Sequence, residues 1–137
     1  QKMAVRCGGG VNHRMGLGDE ALIKDNHIAA VGSVSAAIER VRDRYPEIPV
    51  EVECDRVEQV EEAVAAGARL ILLDNMDPAQ ILKALEHTVP AGVRTEASGG
   101  LTLDNAAEYA QTGVDYIAVG ALTHSSRVFD IGLDIGE

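Results

Sequence analysis

Near the middle of the chain the sequence reads Val50-Glu51-Val52-Glu53-Cys54-Asp55, and this alternation decides between two folds. Successive side chains of a β-strand point to opposite faces, so the valines and the cysteine share one face and the acidic residues share the other. A central strand of an open, doubly wound parallel sheet is apolar on both faces. The interior of a (β/α) barrel tolerates acidic side chains near its mouth, where polar ligands and ions bind. The alternation therefore favours the barrel, with an exposed edge strand as the alternative.

Five apolar runs end on polar or glycine residues, and their spacing predicts repeated strand–helix units. The runs end at Lys24, Glu53, Asp74, Ser98 and Gly120, which follow one another at intervals of 21 to 29 residues. Strands that alternate with helices predict a parallel sheet with right-handed crossovers. The C-terminal ends of such strands carry the active site, because their βα loops gather on one face. We therefore expect the five residues to surround one mouth.

The segments between the strands predict amphipathic helices with recognisable ends. Ser33 is expected to cap one helix, and Asp77-Pro78 supplies an N-cap followed by a proline at the first helical position. Asp55 is expected to cap the helix between them, and Thr102 to open the fourth. The predicted fold is thus α/β, a partial TIM-like (β/α) barrel with about five parallel strands and helices outside. Because a closed barrel needs about eight strands and no start signal precedes Gln1, we expect a piece of a larger protein.

Composition limits the classes of partner. The net charge of −10 over 137 residues argues against nucleic acid. No apolar stretch approaches the roughly 20 residues of a membrane span. Residues 1–28 hold four basic and three acidic side chains, a net charge of +1, so the remaining residues carry −11. This basic segment indicates an anionic ligand, unless its charges are simply solvated. Cys7 and Cys54 have no metal-binding spacing, which favours a reducing compartment and predicts a cytoplasmic protein.

Two glycine-rich turns follow the last two predicted strands. Ser98-Gly99-Gly100 ends one strand, and Gly120 ends the next. Glycine lets backbone amides approach an anion closely, and the N-terminus of a following helix adds the positive end of its dipole. A pair of such turns on late strands matches the phosphate site common in (β/α) barrels. Ordinary turn glycines are the alternative.

Three charged residues at strand ends offer several kinds of chemistry. Glu53 and Asp74 end neighbouring strands and suit a hard cation such as Mg²⁺, or a general acid and base. Lys24 is costly inside a barrel unless it is paired or bound to an anion. It could bind a phosphate or carboxylate, form a Schiff base, or pair with one of the two carboxylates, and an ordinary surface lysine is the alternative.

The glycine-rich segment before Lys24 is a weaker candidate. Gly8, Gly9 and Gly10 are expected to expose backbone amides, and His13 and Arg14 add cationic donors. A flexible loop is the alternative. His124 follows the second glycine turn and is a weak site candidate.

Taken together, these motifs resemble the quinolinate phosphoribosyltransferase family over almost the whole chain. The motifs that carry the resemblance are Gly-Gly-Gly-Val-Asn-His-Arg-Met-Gly-Leu (8–17), Leu-Ile-Lys-Asp-Asn-His (22–27), Val-Glu-Val-Glu (50–53), Leu-Leu-Asp-Asn (72–75), Ser-Gly-Gly (98–100) and Gly-Val-Asp-Tyr-Ile-Ala-Val-Gly-Ala-Leu-Thr-His (113–124). The resemblance implies that residues 1–137 are the C-terminal portion of the barrel. It also implies that the family's N-terminal domain, and a Thr-Arg-Lys-Thr segment that supplies ligands, are absent from this chain.

The resemblance implies a reaction in pyridine nucleotide and NAD biosynthesis. Quinolinate and phosphoribosyl pyrophosphate would give nicotinate mononucleotide, pyrophosphate and CO₂, with Mg²⁺ as cofactor. By the family pattern, His13, Arg14 and Lys24 would face the quinolinate carboxylates. Glu53 and Asp74 would face the ribose and Mg²⁺, so that Lys24, Glu53 and Asp74 are the implied catalytic residues. The 5′-phosphate site would be formed by Ser98, Gly99, Gly100 and Gly120, with His124 nearby.

Family members are dimers whose sites take basic residues from the partner's N-terminal domain, so the resemblance also implies a homodimer and little turnover by this chain alone. Two other functions remain open: a Schiff-base aldolase barrel that uses Lys24, and a phosphate-binding barrel module without catalysis. A close paralogue with a different substrate is a further alternative.

Overall fold

The computed structural model describes residues 2–136 and shows one parallel sheet with strand order β1-β2-β3-β4-β5. The strands are β1 (Ala21–Ile23), β2 (Val50–Cys54), β3 (Leu70–Asp74), β4 (Arg94–Ser98) and β5 (Tyr116–Ile117). The helices are α1 (Lys2–Cys7), α2 (Asp25–Val31), α3 (Val34–Arg44), α4 (Val57–Ala65), α5 (Pro78–Ala91), α6 (Ala106–Ala110) and α7 (Ala121–His124). The predicted five-stranded, incomplete (β/α) barrel is confirmed.

The alternation in β2 separates two faces of the sheet. Val52 and Cys54 are fully buried in the core between the sheet and the helices, together with Ile71 and Leu73 of β3. Glu51 and Glu53 point to the other side, which we call the inner face. Because β2 lies between β1 and β3, the edge-strand alternative is wrong.

Helices α3, α4 and α5 cover the outer face with apolar side chains that are completely buried. Ile38, Val60 and Ile81 come one from each helix and have no exposed surface. Full burial of a side chain of this size contributes about 1.5–3 kcal/mol to stability. This apolar layer fixes the sheet and leaves its inner face to the polar residues.

Two predicted helix caps are confirmed and two are wrong. Ser33 accepts a hydrogen bond from the N–H of Ala36, and Asp77 accepts one from Gln80. Helix α4 begins only at Val57, because β2 runs on to Cys54 and the Gln59 side chain accepts the N–H groups of Asp55 and Arg56. Asp55 is therefore not the cap.

The fourth predicted helix also begins later than expected. Helix α6 starts at Ala106, and Thr102 lies in the preceding turn, where its N–H donates to the Asn105 side chain at 2.8 Å. A turn held by a side-chain acceptor thus replaces the first helical turn that the sequence pattern suggested.

The three consecutive glycines end α1 and do not expose their amides. The N–H groups of Gly8, Gly9 and Gly10 donate to the carbonyls of Ala4, Arg6 and Val5 at 2.9–3.1 Å. Such bonds satisfy the last carbonyls of a helix. The expectation that these amides are available to a ligand is wrong.

Other features carry less information about the site. No helix among the described residues is long and apolar enough to cross a membrane. Cys7 is exposed, whereas Cys54 is buried and free, and burial raises the pKa of its thiol to about 12. Residues 126–136 form neither helix nor strand, and their apolar side chains are exposed.

Candidate functional site

Strand register stacks the inner face in three layers. Leu22, Glu51, Leu70 and Arg94 lie side by side in the deepest layer. Glu53, Leu72, Glu96 and Tyr116 form the next. Asp74 and Ser98 are paired at the C-terminal edge of the sheet. Through β3, the layers bring residues of β2 and β4 onto one face although the sequence separates them by more than 40 positions.

At the mouth, Lys24 and Glu53 form an ion pair. Lys24 follows β1 directly, and its Nζ lies 2.5 Å from Oε2 of Glu53 on the neighbouring strand. The Lys24 side chain keeps 45% of its surface exposed, while that of Glu53 keeps 17%. The ion pair with a carboxylate is one of the alternatives that the sequence left open for Lys24. The lysine still faces solvent at the mouth, where an anion can reach it.

Asp74 lies beside this pair and is destabilised as an anion. Burial raises the pKa of Asp74, and the nearby negative charge of Glu53 raises it further, while Lys24 opposes both effects. Its Oδ2 accepts a hydrogen bond from the Asn75 side chain at 2.6 Å. Two carboxylates and one ammonium group therefore share this part of the mouth, as the strand ends predicted.

The first glycine turn is tightly constrained. Gly99 has φ +91°, and a Cβ at this position would lie 2.3 Å from Oδ1 and 2.8 Å from the backbone nitrogen of Asn75. Asn75 has a positive φ of 55° itself, and its N–H donates to the Ser98 carbonyl at 2.9 Å. Only glycine fits this close approach of two loops without displacement.

The two glycine turns present unused donors. Among residues 2–136, the N–H groups of Gly99, Gly100 and Gly120 donate no hydrogen bond within the chain. β4 and β5 pair directly, with Ala97 opposite Ile117, so the turns that follow them are neighbours. The His124 ring covers Gly120, because a Cβ there would lie 3.3 Å from His124 Nε2. This arrangement can bind an anion through backbone amides.

Below the mouth, His13 reaches the inner face and contacts a buried acid. Its Nε2 lies 2.6 Å from Oε2 of Glu51, whose side chain has no exposed surface. Burial raises the pKa of Glu51, as does the charge of Glu96, while His13 lowers it. Burial also raises the pKa of Glu96; the charge of His13 opposes this effect and that of Glu20 adds to it. Arg14 follows His13 and is half-buried, and within residues 2–136 its guanidinium makes no hydrogen bond or ion pair.

The structure thus brings together Lys24, Glu53, Asp74 and the two glycine turns, with His13 one layer deeper. Sequence reasoning assigned no role to Glu51, Glu96 or Asn75. The alternation of β2 placed Glu51 on the inner face, and Thr95-Glu96-Ala97 carries the same signal in β4. Nothing in the sequence marked the positive φ of Asn75.

Comparison with known proteins identifies the family. The profile described as "Quinolinate phosphoribosyl transferase, C-terminal domain" matches residues 1–134. The nicotinate-nucleotide pyrophosphorylase [carboxylating] of Mycobacterium leprae is 59% identical over 138 residues, which cover 98% of this chain and 48% of that protein. The quinolinate phosphoribosyltransferase [decarboxylating] 2, mitochondrial, of Nicotiana glauca is 43% identical, over 98% of this chain and 43% of its own.

Solved structures agree with the sequence matches. Nicotinate-nucleotide pyrophosphorylase from Ehrlichia chaffeensis superposes with a TM-score of 0.92 at 43% identity, covering 98% of this chain and 49% of that one. NadC from Streptococcus pyogenes gives a TM-score of 0.86 at 45% identity, over 90% and 44% of the two chains. The chain spans about half the length of the curated relatives it matches.

The contact between Gly99 and Asn75 makes a prediction about stability. We expect Gly99→Ala to lower the free energy of unfolding by about 2–3 kcal/mol, because the new Cβ adds steric overlap to a strained positive φ. Gly100→Ala is the matched control: its φ is +62°, but nothing lies within 4 Å of the added atom. It should cost only about 1 kcal/mol. Urea denaturation measures both, and equal stabilities of the two variants would contradict the role of the contact.

The buried acid Glu96 predicts an unusual pH dependence. A carboxyl group whose pKa is raised on folding favours the native state while it is protonated, and this advantage is lost as the pH rises through the folded-state pKa. Glu96→Gln should therefore raise the free energy of unfolding at neutral pH. The gain should vanish below the ordinary glutamate value of 4.5. The control is Glu108→Gln on the exposed surface of α6, which should change little at any pH. A Glu96→Gln variant that is less stable at neutral pH would show that the carboxylate has a favourable partner.

Proposed function

The chain belongs to the quinolinate phosphoribosyl transferase family, and we propose that it provides the barrel part of an enzyme that transfers phosphoribose to quinolinate with decarboxylation. The products would be nicotinate mononucleotide, pyrophosphate and CO₂. The observation that carries the proposal is the division of the mouth into two halves. Unused amide donors lie over β4 and β5, and the Lys24–Glu53 pair with Asp74 lies over β1, β2 and β3.

The amide half fits the 5′-phosphate of the ribose. Three glycine N–H groups on two neighbouring turns can each donate to a phosphate oxygen. Ser98 and His124 flank the turns and can add side-chain contacts.

The carboxylate half fits the ribose and a divalent cation. Glu53 and Asp74 are oxygen donors on adjacent strands, and the effect of Glu53 on the pKa of Asp74 is repulsion that a cation would relieve. The donor set therefore fits Mg²⁺, which when bound would neutralise charge on the departing pyrophosphate. The chain's own carboxylates face the anomeric centre, which gains positive character as the bond to pyrophosphate lengthens, and their negative charge stabilises it.

The basic residues fit the pyridine dicarboxylate. Lys24 offers a donor at the mouth and His13 one layer deeper, and Arg14, next to His13 in the chain, has a guanidinium fork that matches a carboxylate. Holding the acid there orients its ring nitrogen toward the anomeric carbon. When CO₂ leaves the ribosylated ring, its bonding electron pair stays on the ring carbon, and nearby cations stabilise that charge.

The surroundings of Lys24 argue against the aldolase alternative. Schiff-base formation needs a neutral amine in an apolar pocket or beside another cation. Lys24 instead contacts a carboxylate at 2.5 Å and is 45% exposed. Lys24 therefore has neither the apolar pocket nor the neighbouring cation that such chemistry needs.

The assembly and location are parts of the same proposal. We infer a homodimer, since one mouth built on five strands is open on the side of β1 and on the side of β5 among the described residues. We also infer a cytoplasmic enzyme, which agrees with two cysteines that form no disulfide.

A chimera tests the function. The 59%-identical M. leprae relative would have its matching half replaced by residues 1–137. We expect this protein to form nicotinate mononucleotide from quinolinate, phosphoribosyl pyrophosphate and Mg²⁺, because this chain supplies the mouth. Chromatography of the product with ¹⁴C-labelled quinolinate measures turnover and CO₂ release together.

Two controls sharpen the result. Glu53→Gln in the chimera should reduce kcat by about a hundredfold or more, because it removes charge stabilisation at the anomeric centre. The 137-residue chain alone should show little turnover, since its mouth is open on two sides. A folded chimera that binds phosphoribosyl pyrophosphate but forms no product would favour the phosphate-binding module without catalysis.

A further inference from the structure

We propose that Glu51 is a positioning residue that acts through His13, fixing the imidazole with Nε2 inward and Nδ1 toward the bound pyridine acid. This proposal rests on the proposed function, because it assigns His13 to the quinolinate half of the mouth. Glu51 itself touches no reacting atom. Its effect is to decide which ring nitrogen His13 presents to the mouth.

The geometry of the pair supports this role. Glu51 sits in the middle of β2, between Leu22 and Leu70, and has no exposed surface. Its Oε2 lies 2.6 Å from His13 Nε2, whereas Oε1 has no hydrogen-bond partner among the described residues. The His13 side chain retains 35% of its surface, so the ring spans from the buried acid to the open mouth. Only Nδ1 is then left for a ligand.

A metal ion explains the cluster less well. One ligand atom each from His13, Glu20 and Glu51 lies within 4.8 Å of the others. Two atoms bound to the same zinc ion at about 2.0–2.2 Å are separated by about 3 Å or more. The 2.6 Å separation of Nε2 and Oε2 is instead that of a direct, charge-assisted hydrogen bond.

The chain offers a matched control for the experiment. His87 Nε2 lies 3.2 Å from Glu61 Oε1, so this is a second histidine–glutamate pair, but both side chains are more than a third exposed. Glu61→Gln removes the same charge from a histidine far from the mouth. Glu51→Gln removes it from His13 with almost no change in shape.

In the chimera, we expect Glu51→Gln to raise KM for quinolinate about tenfold or more and to leave KM for phosphoribosyl pyrophosphate unchanged. Glu61→Gln should alter neither KM value. Equal effects of Glu51→Gln on both KM values, or an unchanged KM for quinolinate, would overturn the proposal.

A second measurement on the chain itself does not depend on catalysis. ¹⁵N-edited NMR of labelled histidine distinguishes the two tautomers, and at alkaline pH His13 should be the Nε2–H form with its proton protected from exchange with water. A His13 in the Nδ1–H form, or one that exchanges as fast as exposed His87, would overturn the proposal even if Glu51→Gln failed to fold. An inactive chimera whose His13 shows the protected Nε2–H form would refute the proposed function while the geometry of the pair stood.

Discussion

Strict alternation along β2 is the constraint on which the rest of the structure depends. It places Val52 and Cys54 in the apolar layer under the helices and sends Glu51 and Glu53 to the inner face. A slip of one residue would bury both carboxylates among apolar side chains and remove the strand from the core. The cost of such a burial far exceeds the gain from any single contact at the mouth, so the register of β2 is fixed before the site is assembled.

With this register, the charged side chains of the inner face lie in successive layers that rise toward the C-terminal ends of the strands. The deepest layer holds Glu51, a buried acid that contacts His13. Higher up, Glu53 pairs with Lys24, and Asp74 ends its strand beside them. Burial is the main reason that the carboxyl pKa values of Glu51, Glu96 and Asp74 are raised, and neighbouring carboxylates add to the effect. A site that binds a cation can use such crowded acidic groups, whereas a purely structural core would avoid them.

The sequence predicted those strand ends and helix caps that depend only on residues close together in the chain. Period-two and helical periodicity predicted the ends of β3 and β4 at Asp74 and Ser98 and the caps at Ser33 and Asp77, because these are set by neighbours within a few residues. The other strands end elsewhere than predicted, at Ile23, Cys54 and Ile117. Asp55 and Thr102 were wrong as caps, since a competing side chain took the backbone N–H groups in each case.

Contacts between residues far apart in the chain could not be predicted from local sequence patterns. The contact between His13 and Glu51 joins residues 38 positions apart, and it depends on how the segment after α1 folds onto the sheet. At the three glycines, the sequence predicted a function that the structure does not support. Their composition indicated a binding loop, but their amides complete the end of α1.

We propose that the glycine turns after β4 and β5 bind the 5′-phosphate at the C-terminal edge of the sheet. An amide NMR titration of the chain with phosphoribosyl pyrophosphate and Mg²⁺ examines these turns without requiring turnover. We expect saturable shifts that are largest for Gly99, Gly100 and Gly120. Saturable shifts confined to the opposite edge, near the exposed Arg69 and Arg94, would contradict it.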